Sequence, residues 1–335
     1  MLRLRALAGA ATPKTIMNQI DFMRTPMEKS SFDRIIKKNL EAIIGGAAFG
    51  YRVPESPKVY DTYYCNQQFN AFKEEMETAY QDAYRSFSDG KGSELSEQTG
   101  RYGITPPKMA SVTSSSRFCY LALRDGAHAL GGAGDVRFEH ECRIAGVPGI
   151  APQLDAYIEN GGIYVEAKCH EIFDSHKVVL KEKYRHLIYG EGNQFGFQPL
   201  PAADSDVDRY TFDVPLSAFR IQNPHSMFDT KQFLCHLLGI ASQPGGAKRL
   251  VYLFFMPVSD NEETQKAIEG VFSELREEIR CIFGSAPIQS FCRTNHIGLQ
   301  AVAESSRTME ALSERNMRVL YPVTSYTGTS ASRCE

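Results

Sequence analysis

The amino-acid sequence predicts an α/β fold, and three observations support this class. Between about residues 110 and 260, strand-like and helix-like segments alternate. A strand at 136–144 alternates in polarity, and a hairpin at 152–170 joins two β-rich runs. A helix at 227–240 then leads into an apolar strand at 250–256. The 42% hydrophobic and 23% charged content is that of a folded globular chain.

Composition excludes two classes of protein. No segment approaches the roughly eighteen apolar residues that a membrane span requires. Lys and Arg number 37 against 40 Asp and Glu, which excludes a protein that coats nucleic acid through its overall positive charge. A local basic face that contacts nucleic acid is still compatible with this composition. The eight cysteines are scattered singly without a CxxC pair, which predicts reduced thiols and a cytoplasmic protein. Arg3 and Arg5 precede an Ala/Leu stretch that is too short for a secretory signal.

Helical additions are expected at both ends of the α/β part. Helical spacing of apolar residues at 35–44 and a second helix at about 67–87 predict a mainly helical N-terminal extension over residues 1–110. A helix at 114–124 opens the core over residues 111–260, which contains an irregular insert near 190–225. Residues 261–335 are expected to form a C-terminal helical extension with helices at 266–283 and 308–318 and a frayed tail.

The hairpin at 152–170 carries the candidate chemistry. Asn160-Gly161 predicts a two-residue type I′ turn, which sets Asp155 opposite Glu166 and Gln153 opposite Lys168. These four polar side chains then share one face of the hairpin, because side chains alternate between the two faces of a strand. The other face is wholly apolar and is expected to pack into the core; it contains Leu154, Ala156, Ile158, Ile163, Val165 and Ala167.

Two directly opposed carboxylates indicate a cation site. Their Cβ atoms would lie about 4.5–5.5 Å apart, where like charges repel unless a cation lies between them or one group is protonated. Oxygen ligands of this kind suit Mg²⁺ or Mn²⁺. Lys168 lies on the same face, where its ammonium can hold an attacking water or a phosphate oxygen. A solvated polar face is the alternative interpretation, but opposed like charges are a poor choice for it. Residues placed for catalysis are also expected to be dispensable for folding.

Pro152-Gln153-Leu154-Asp155 followed, after ten intervening residues, by Glu166-Ala167-Lys168 resembles the motif of the PD-(D/E)xK nuclease superfamily. The resemblance covers about residues 112–258 and implies a restriction-endonuclease-like core, an α-β-β-β-α-β unit with a mixed sheet. It implies that Asp155 and Glu166 bind Mg²⁺ or Mn²⁺, with the Ala167 carbonyl as a further ligand, and that Lys168 positions the hydrolytic water. The implied reaction is hydrolysis of DNA phosphodiester bonds, as in restriction-type or defence endonucleases. Within the superfamily, the chain is most similar to uncharacterised restriction-endonuclease-like proteins of bacteria.

Further site residues remain open at this stage. Many superfamily members place an additional acidic residue on the first core helix, but residues 114–123 contain none. Glu139 or Glu141 could supply it from the preceding strand, with ordinary cross-strand charge pairing as the alternative. Gln153 from the hairpin is a further candidate. Gln232, which shares a helix stripe with Asp229 and His236, could bind the metal's water or a phosphate, or simply be exposed.

A basic run follows the motif. It is expected to form a helix that neutralises DNA phosphates, with a solvated charged helix as the alternative; its cations are Lys177, Lys181, Lys183 and Arg185. DNA is therefore the expected partner, no membrane is involved, and a homodimer is an open arrangement. The competing function is a nucleic-acid-binding protein on the same fold without cleavage.

Overall fold

The computed structural model describes residues 27–46, 49–50, 63–90, 94–100, 103–126, 128–149, 151–174, 176–190, 193–197, 210–221, 226–312 and 316–323. These residues form an α/β fold with eight helices and a mixed six-stranded sheet, which confirms the predicted class. Three pairs of short strands lie outside the sheet.

The helices and strands are numbered in chain order. The helices of the described residues are α1 (Lys29–Ile44), α2 (Asn66–Ala79), α3 (Gln81–Asp89), α4 (Ser115–Leu123), α5 (Arg185–Ile188), α6 (Thr230–Ala241), α7 (Glu262–Phe283) and α8 (Ala286–Thr294). The short pairs are β1 (Phe49–Gly50) with β2 (Tyr63–Tyr64), β3 (Gln98–Gly100) with β4 (Gly103–Thr105), and β8 (Val179–Lys181) with β9 (Thr211–Asp213). The central sheet contains β5 (Ala133–Glu141), β6 (Gln153–Asn160), β7 (Ile163–Lys168), β10 (Lys248–Pro257), β11 (Ile297–Ser306) and β12 (Asn316–Tyr321).

The central sheet has the strand order β12-β11-β10-β7-β6-β5. Strands β5, β6 and β7 form an antiparallel meander, whereas β10 runs parallel to both β7 and β11. Strand β12 forms one edge and runs antiparallel to β11. Strand β10 therefore lies inside the sheet, and all of its residues except Arg249 are buried, as expected for a parallel strand covered on both faces.

Helices cover both faces of the sheet. Successive residues of a strand point to opposite faces, so Tyr252 and Phe255 of β10 face opposite layers. Phe255 contacts Phe118 of α4, with ring centroids 5.4 Å apart. Tyr252 contacts Phe233 of α6, with ring centroids 6.1 Å apart. Glu166 of β7 pairs with Tyr252 across the sheet and therefore lies on the face that α6 covers.

Side-chain caps fix where the core helices begin. Ser114, Asp229 and Asn261 precede α4, α6 and α7, and each accepts a hydrogen bond from the backbone N–H three residues further on, at 3.2, 2.9 and 2.8 Å. Such a cap contributes about 1 kcal/mol to helix stability. The Asp229 cap explains why α6 begins at Thr230, three residues after the predicted start.

Arg117 of α4 links the N-terminal extension to the core. Its guanidinium lies 4.1 Å from the ring centroid of Tyr64 and 3.9 Å from that of Phe72. It also donates to the carbonyl of Met109 at 3.2 Å and pairs with Glu310 at 3.3 Å. The buried residues of all three predicted segments accordingly belong to one hydrophobic core.

Two predicted helices differ from the structure. The helix expected at 67–87 is two helices, α2 and α3, because Tyr80 between them has a non-helical backbone with φ −134° and ψ 53°. The short helix expected at 308–318 is wrong, since β12 occupies the end of that range. The description of residues 261–335 as a helical extension is therefore corrected: β11 and β12 from this segment are two of the six strands of the central sheet. The predicted frayed tail lies outside the described residues from 324 onward.

Other expectations concern membranes, cysteines and the insert. Within the described ranges, no helix combines the length and the apolar character needed to cross a membrane. The seven cysteines of those ranges are free thiols. Of the insert expected near 190–225, the structure describes residues 190, 193–197 and 210–221, which include β9 and a 3-10 turn at Leu216–Phe219.

Candidate active site

Strands β6 and β7 form the predicted hairpin in the predicted register. Tyr157 pairs with Tyr164, and the pairs on either side continue the same register. The turn itself is not type I′, because the positive φ angles fall on Gly161 (116°) and Gly162 (57°) rather than on Asn160. The Gly162 N–H donates to the carbonyl of Glu159 at 3.1 Å and closes the turn.

The two faces of the hairpin have the predicted character. Each of the six apolar side chains on one face is fully buried at 0% exposure; they are Leu154, Ala156, Ile158, Ile163, Val165 and Ala167. On the other face Glu166 is buried and Asp155, Gln153 and Lys168 are half-buried. The structure therefore brings together the four polar residues that the sequence placed on one surface.

Asp155 is held from across the hairpin. Its Oδ2 accepts the backbone N–H of Ala167 at 2.7 Å. Burial and the negative charge of Glu166 raise the pKa of Asp155 well above its usual value, although Lys168 and the Ala167 N–H act in the opposite direction. The two carboxylates therefore repel each other in the metal-free protein, which is the condition that a bound cation would relieve.

Lys168 lies between two carboxylates. Its Nζ donates to Glu166 Oε1 at 2.7 Å, and Glu171 is close enough to act on its charge. Burial lowers the pKa of Lys168, but the charges of Glu166 and Glu171 outweigh burial and raise it above the usual value. Lys168 is therefore a cation at neutral pH, able to position a water molecule or neutralise developing charge but not to accept a proton.

His236 of α6 lies behind Glu166. Its Nε2 is 3.7 Å from Glu166 Oε2, and its Nδ1 is 3.3 Å from the hydroxyl of Tyr252. Burial lowers the pKa of His236 despite the nearby negative charge of Glu166, so the imidazole is neutral at pH 7. Gln232, one helical turn earlier, is half-buried, while Asp229 serves as the α6 cap described above.

Glu139 joins the site through an unusual backbone conformation. It lies on β5 opposite Asp155, between the pairs that Phe138 and His140 make with β6, and has a φ of 54°. Its Oε2 accepts the side-chain N–H of Gln153 at 2.6 Å. Burial, followed by the charge of Glu94, raises the pKa of Glu139 to about 7.

The left-handed backbone of Glu139 reverses which side chains of β5 point to each face of the sheet. Phe138 packs on Phe87 of α3, with ring centroids 5.2 Å apart, whereas His140 stacks on Tyr157 at 4.6 Å. Tyr157 lies on the same face as Asp155, so Phe138 and His140 point to opposite faces. The expected strict alternation from 136 to 144 is therefore wrong beyond residue 138.

Of the two acidic candidates on β5, Glu139 acts on the site electrostatically. The charge of Glu139 raises the pKa of Asp155, and the charge of Glu166 raises that of Glu139. Glu141 lies 3.8 Å from Arg143, two residues further along the chain, in an ion pair.

Sequence reasoning missed Glu94 and Lys108. Glu94 is only 3% exposed; its Oε1 accepts Lys108 Nζ at 2.8 Å, and its carbonyl accepts the N–H of Met109 at 3.0 Å. The charge of Glu94 raises the pKa of Glu139 and that of Lys108 lowers it, so both residues lie beside the site. Glu94 was part of a Ser/Gly-rich segment interpreted only as a break, and no local pattern marked it.

Helix α4 contributes a thiol and no acidic side chain. Cys119 is fully buried, and burial followed by the charges of Asp155 and Glu166 raises its pKa well above the usual value. Glu139 and Glu94 bring additional carboxylates to the site from β5 and from the N-terminal extension.

The basic run is not a helix beside the site. Residues 177–185 contain β8, a 3-10 turn and only the start of the short α5. Lys183 donates to the carbonyl of Pro148 at 2.7 Å, and Arg185 pairs with Glu182 at 3.3 Å, while Lys177 and Lys181 are exposed. The expectation of a basic helix is therefore wrong, although exposed cations are present.

The donor set fits a hydrated divalent cation. Among the residues that the structure describes, no three His, Cys, Asp or Glu side chains converge closely enough to hold a metal ion by themselves. Asp155 and Glu166 offer two carboxylates from the neighbouring strands β6 and β7. Mg²⁺ typically binds one or two carboxylates and keeps several waters, so two protein carboxylates are sufficient for it.

Comparison with known proteins adds no assignment. The chain matches no protein-family model, no curated protein and no solved structure. What the site does is therefore inferred from its own residues and their geometry.

Proposed function

We propose that the protein is a Mg²⁺-dependent nuclease of the PD-(D/E)xK type that hydrolyses phosphodiester bonds in DNA, as a restriction-type or defence endonuclease. One observation carries the proposal: Asp155 and Glu166 meet on one face of a hairpin, beside a lysine that two carboxylates keep charged. A solvated surface does not require this arrangement, because opposed carboxylates destabilise a hairpin unless a ligand uses them.

The topology supports the restriction-endonuclease-like core. Helix α4 is followed by the antiparallel strands β5, β6 and β7. After the inserted elements β8, α5 and β9 come α6 and β10, which runs parallel to β7. This is the α-β-β-β-α-β order that the motif implies. Strands β11 and β12 extend the sheet beyond that core.

The chain's own residues divide the chemistry between them. Asp155 and Glu166 would hold the cation, and His236 and Lys168 orient Glu166. A bound Mg²⁺ supplies polarisation of the phosphate and a lower pKa for a bound water. The ammonium of Lys168 holds the attacking water and stabilises negative charge on the phosphate oxygens as the bond to the leaving oxygen breaks.

Cleavage is the direct test of the proposal. We expect the purified protein to degrade or nick DNA with Mg²⁺ or Mn²⁺ and to be inactive in EDTA. The substrates are a plasmid, a mixture of genomic DNAs and a structured RNA, because a sequence-specific enzyme does not cut a plasmid that lacks its site. Tight DNA binding without cleavage of any substrate would favour the inactive nucleic-acid-binding alternative.

A second prediction concerns the metal alone. Mg²⁺ or Mn²⁺ should raise the melting temperature of the wild type, because a ligand of the folded state adds about 2.7 kcal/mol at one hundred times its Kd. Asp155→Asn should lose this shift. Asp82→Asn is the matched control, since Asp82 is 91% exposed in its side chain and pairs only at the surface with Arg85. An equal shift in all three proteins would locate the metal elsewhere.

A further inference from the structure

Glu94 and Lys108 form an ion pair in which the carboxylate is buried and the ammonium is exposed. The side chain of Glu94 is 4% exposed and that of Lys108 is 57% exposed, with 2.8 Å between Nζ and Oε1. The other carboxylate oxygen, Oε2 of Glu94, is buried and has no hydrogen-bond partner in the described part of the chain. A buried carboxylate thus anchors an ammonium that remains open to solvent.

The anchored ammonium has free donors. A lysine ammonium carries three N–H groups, and Glu94 accepts one of them. Among the described residues Lys108 has no other hydrogen-bond partner in the structure. Two N–H groups therefore remain for a ligand on the solvent side.

Local structure holds Lys108 in place beside the site carboxylates. Pro106 and Pro107 precede it, a 3-10 turn spans Lys108–Ala110, and the Met109 N–H is bonded to the Glu94 carbonyl. The segment leads after a few residues into the cap of α4, the first core helix. The segment that leads to Glu94 packs against β5, since a Cβ at Gly90 would lie 3.5 Å from Glu139 Oε2. The charge of Lys108 accordingly lowers the pKa of Glu139.

Three of the other candidate cations are already bound to protein groups, and Lys177 and Lys181 are exposed without an anchoring carboxylate in the described part of the chain. Lys168 is 15% exposed and is bound to Glu166, so it is committed to the reacting centre. In the basic run, Lys183 is bonded to the carbonyl of Pro148 and Arg185 to Glu182. The site otherwise presents the carboxylates Glu94, Glu139, Asp155, Glu166 and Glu171, which repel a polyanion.

We propose that Lys108 contacts a DNA backbone phosphate next to the one that is cut, and that Glu94 positions it. The inference rests on the proposed nuclease function and deepens it by assigning a substrate contact to the N-terminal extension. Such contacts fix the register of the backbone over the reacting centre without reading base sequence.

Salt dependence of binding tests the contact without cleavage. A short fluorescein-labelled DNA duplex is titrated with protein in Ca²⁺ at several salt concentrations. Lys108→Gln should lower the slope of log affinity against log salt by about 0.9, the value for one phosphate contact. Lys108→Arg, which keeps the charge, should retain the wild-type slope.

Two further variants separate a substrate contact from a structural role. Lys108→Gln leaves Glu94 buried without its cation, so Glu94→Gln/Lys108→Gln should recover thermal stability while keeping the reduced slope. Lys266→Gln is the matched control, because Lys266 forms a similar pair with Glu262 at 2.6 Å on α7, with 72% of its side chain exposed. Its slope should equal that of the wild type.

The outcomes are distinguishable from those of the proposed function. If the wild type binds and cuts DNA but Lys108→Gln and the double variant keep its slope, Lys108 only neutralises Glu94 and the inference is overturned. If Lys266→Gln lowers the slope equally, the effect is general charge and the inference is again overturned. A wild type that neither binds nor cuts DNA overturns the proposed function as well.

Discussion

Replacing Asp155 with Asn should abolish DNA cleavage and at the same time raise the stability of the metal-free protein. The amide removes the repulsion between Asp155 and Glu166, which contributes to the raised pKa of Asp155. Its oxygen can still accept the Ala167 N–H that Asp155 accepts at 2.7 Å. We expect cleavage to fall by about 10³-fold or more, because the group that holds the cation is lost. Stability should rise by about 0.5–2 kcal/mol, as for other substitutions that relieve a functional site.

The measurements are a cleavage assay in Mg²⁺ and denaturant unfolding in EDTA. Asp82→Asn makes the same chemical change on the exposed surface of α3 and should alter neither result. Cleavage by Asp155→Asn at the wild-type rate would remove Asp155 from the site. A large loss of stability would instead assign Asp155 to the fold, as the alternative of an ordinary polar face requires.

The hairpin was predictable because its determinants are local. The Asn160-Gly161 turn signal and the alternation on both strands fix the register within one short segment, and a shift by one residue would bury the polar face. The detailed turn type was not predictable, since Gly162 takes a positive φ and shares the turn with Gly161. The opposition of Asp155 and Glu166 depends on register alone and is unaffected by this difference.

The contribution of β5 was only partly predictable. A glutamate with positive φ is uncommon, and nothing in the alternating sequence around Glu139 marks it. Such a backbone costs of order 1–3 kcal/mol and persists where surrounding contacts impose it. Here the hydrogen bond from Gln153 holds the Glu139 side chain, and the stack of His140 on Tyr157 holds the residue that follows it. The backbone conformation of Glu139 thereby brings an acidic side chain to the site. The sequence pattern of β5 leaves Glu139 and Glu141 as alternative candidates.

Residues far apart in the chain were the least predictable. Glu94 reaches the site only because the N-terminal extension packs against α4, through Arg117 and the aromatic rings around it. Strands β11 and β12 join the sheet through non-local pairing, and β11 pairs in parallel with β10 after two intervening helices. Hydrophobic periodicity identifies helices and strands one at a time, and it contains no information about which distant segments meet.

The contacts of Lys168 suggest a structural contribution beside its proposed role in cleavage, which the sequence alone did not suggest. Its ammonium is mostly buried, donates to Glu166 at 2.7 Å and compensates the charge of Glu171. Burial raises the pKa of Glu171, but the charges of Lys168 and then His170 outweigh burial and lower it. Removing Lys168 leaves Glu166 without its cation and leaves Glu171 with only the charge of His170, both beside Asp155. We therefore expect Lys168, unlike Asp155, to contribute to folding stability.

We expect Lys168→Met to lose cleavage and to lower the free energy of unfolding by about 3 kcal/mol, the loss typical of removing one partner of a buried ion pair. Met retains most of the length of the side chain, so the loss reports on charge. Lys168→Arg should keep most of the stability, because it restores the cation, yet remain impaired in cleavage, because the guanidinium differs from the ammonium in shape and donor geometry.

The double-mutant cycle with Glu171→Gln isolates the charge effect. Glutamine can still accept the Cys169 N–H that Glu171 Oε2 accepts at 2.6 Å, so this change removes charge and keeps that hydrogen bond. In the Lys168→Met background, Glu171→Gln removes an uncompensated carboxylate and should recover part of the lost stability, whereas in the wild-type background it should be neutral or destabilising. The change that Glu171→Gln makes to the free energy of unfolding should thus differ between the two backgrounds by about 0.5–3 kcal/mol, the range for residues in contact. It can also differ in sign between them. Denaturant unfolding of the four proteins in EDTA measures this coupling. If the effects of Lys168→Met and Glu171→Gln simply add, the two charges do not interact, and Lys168 is held by Glu166 alone.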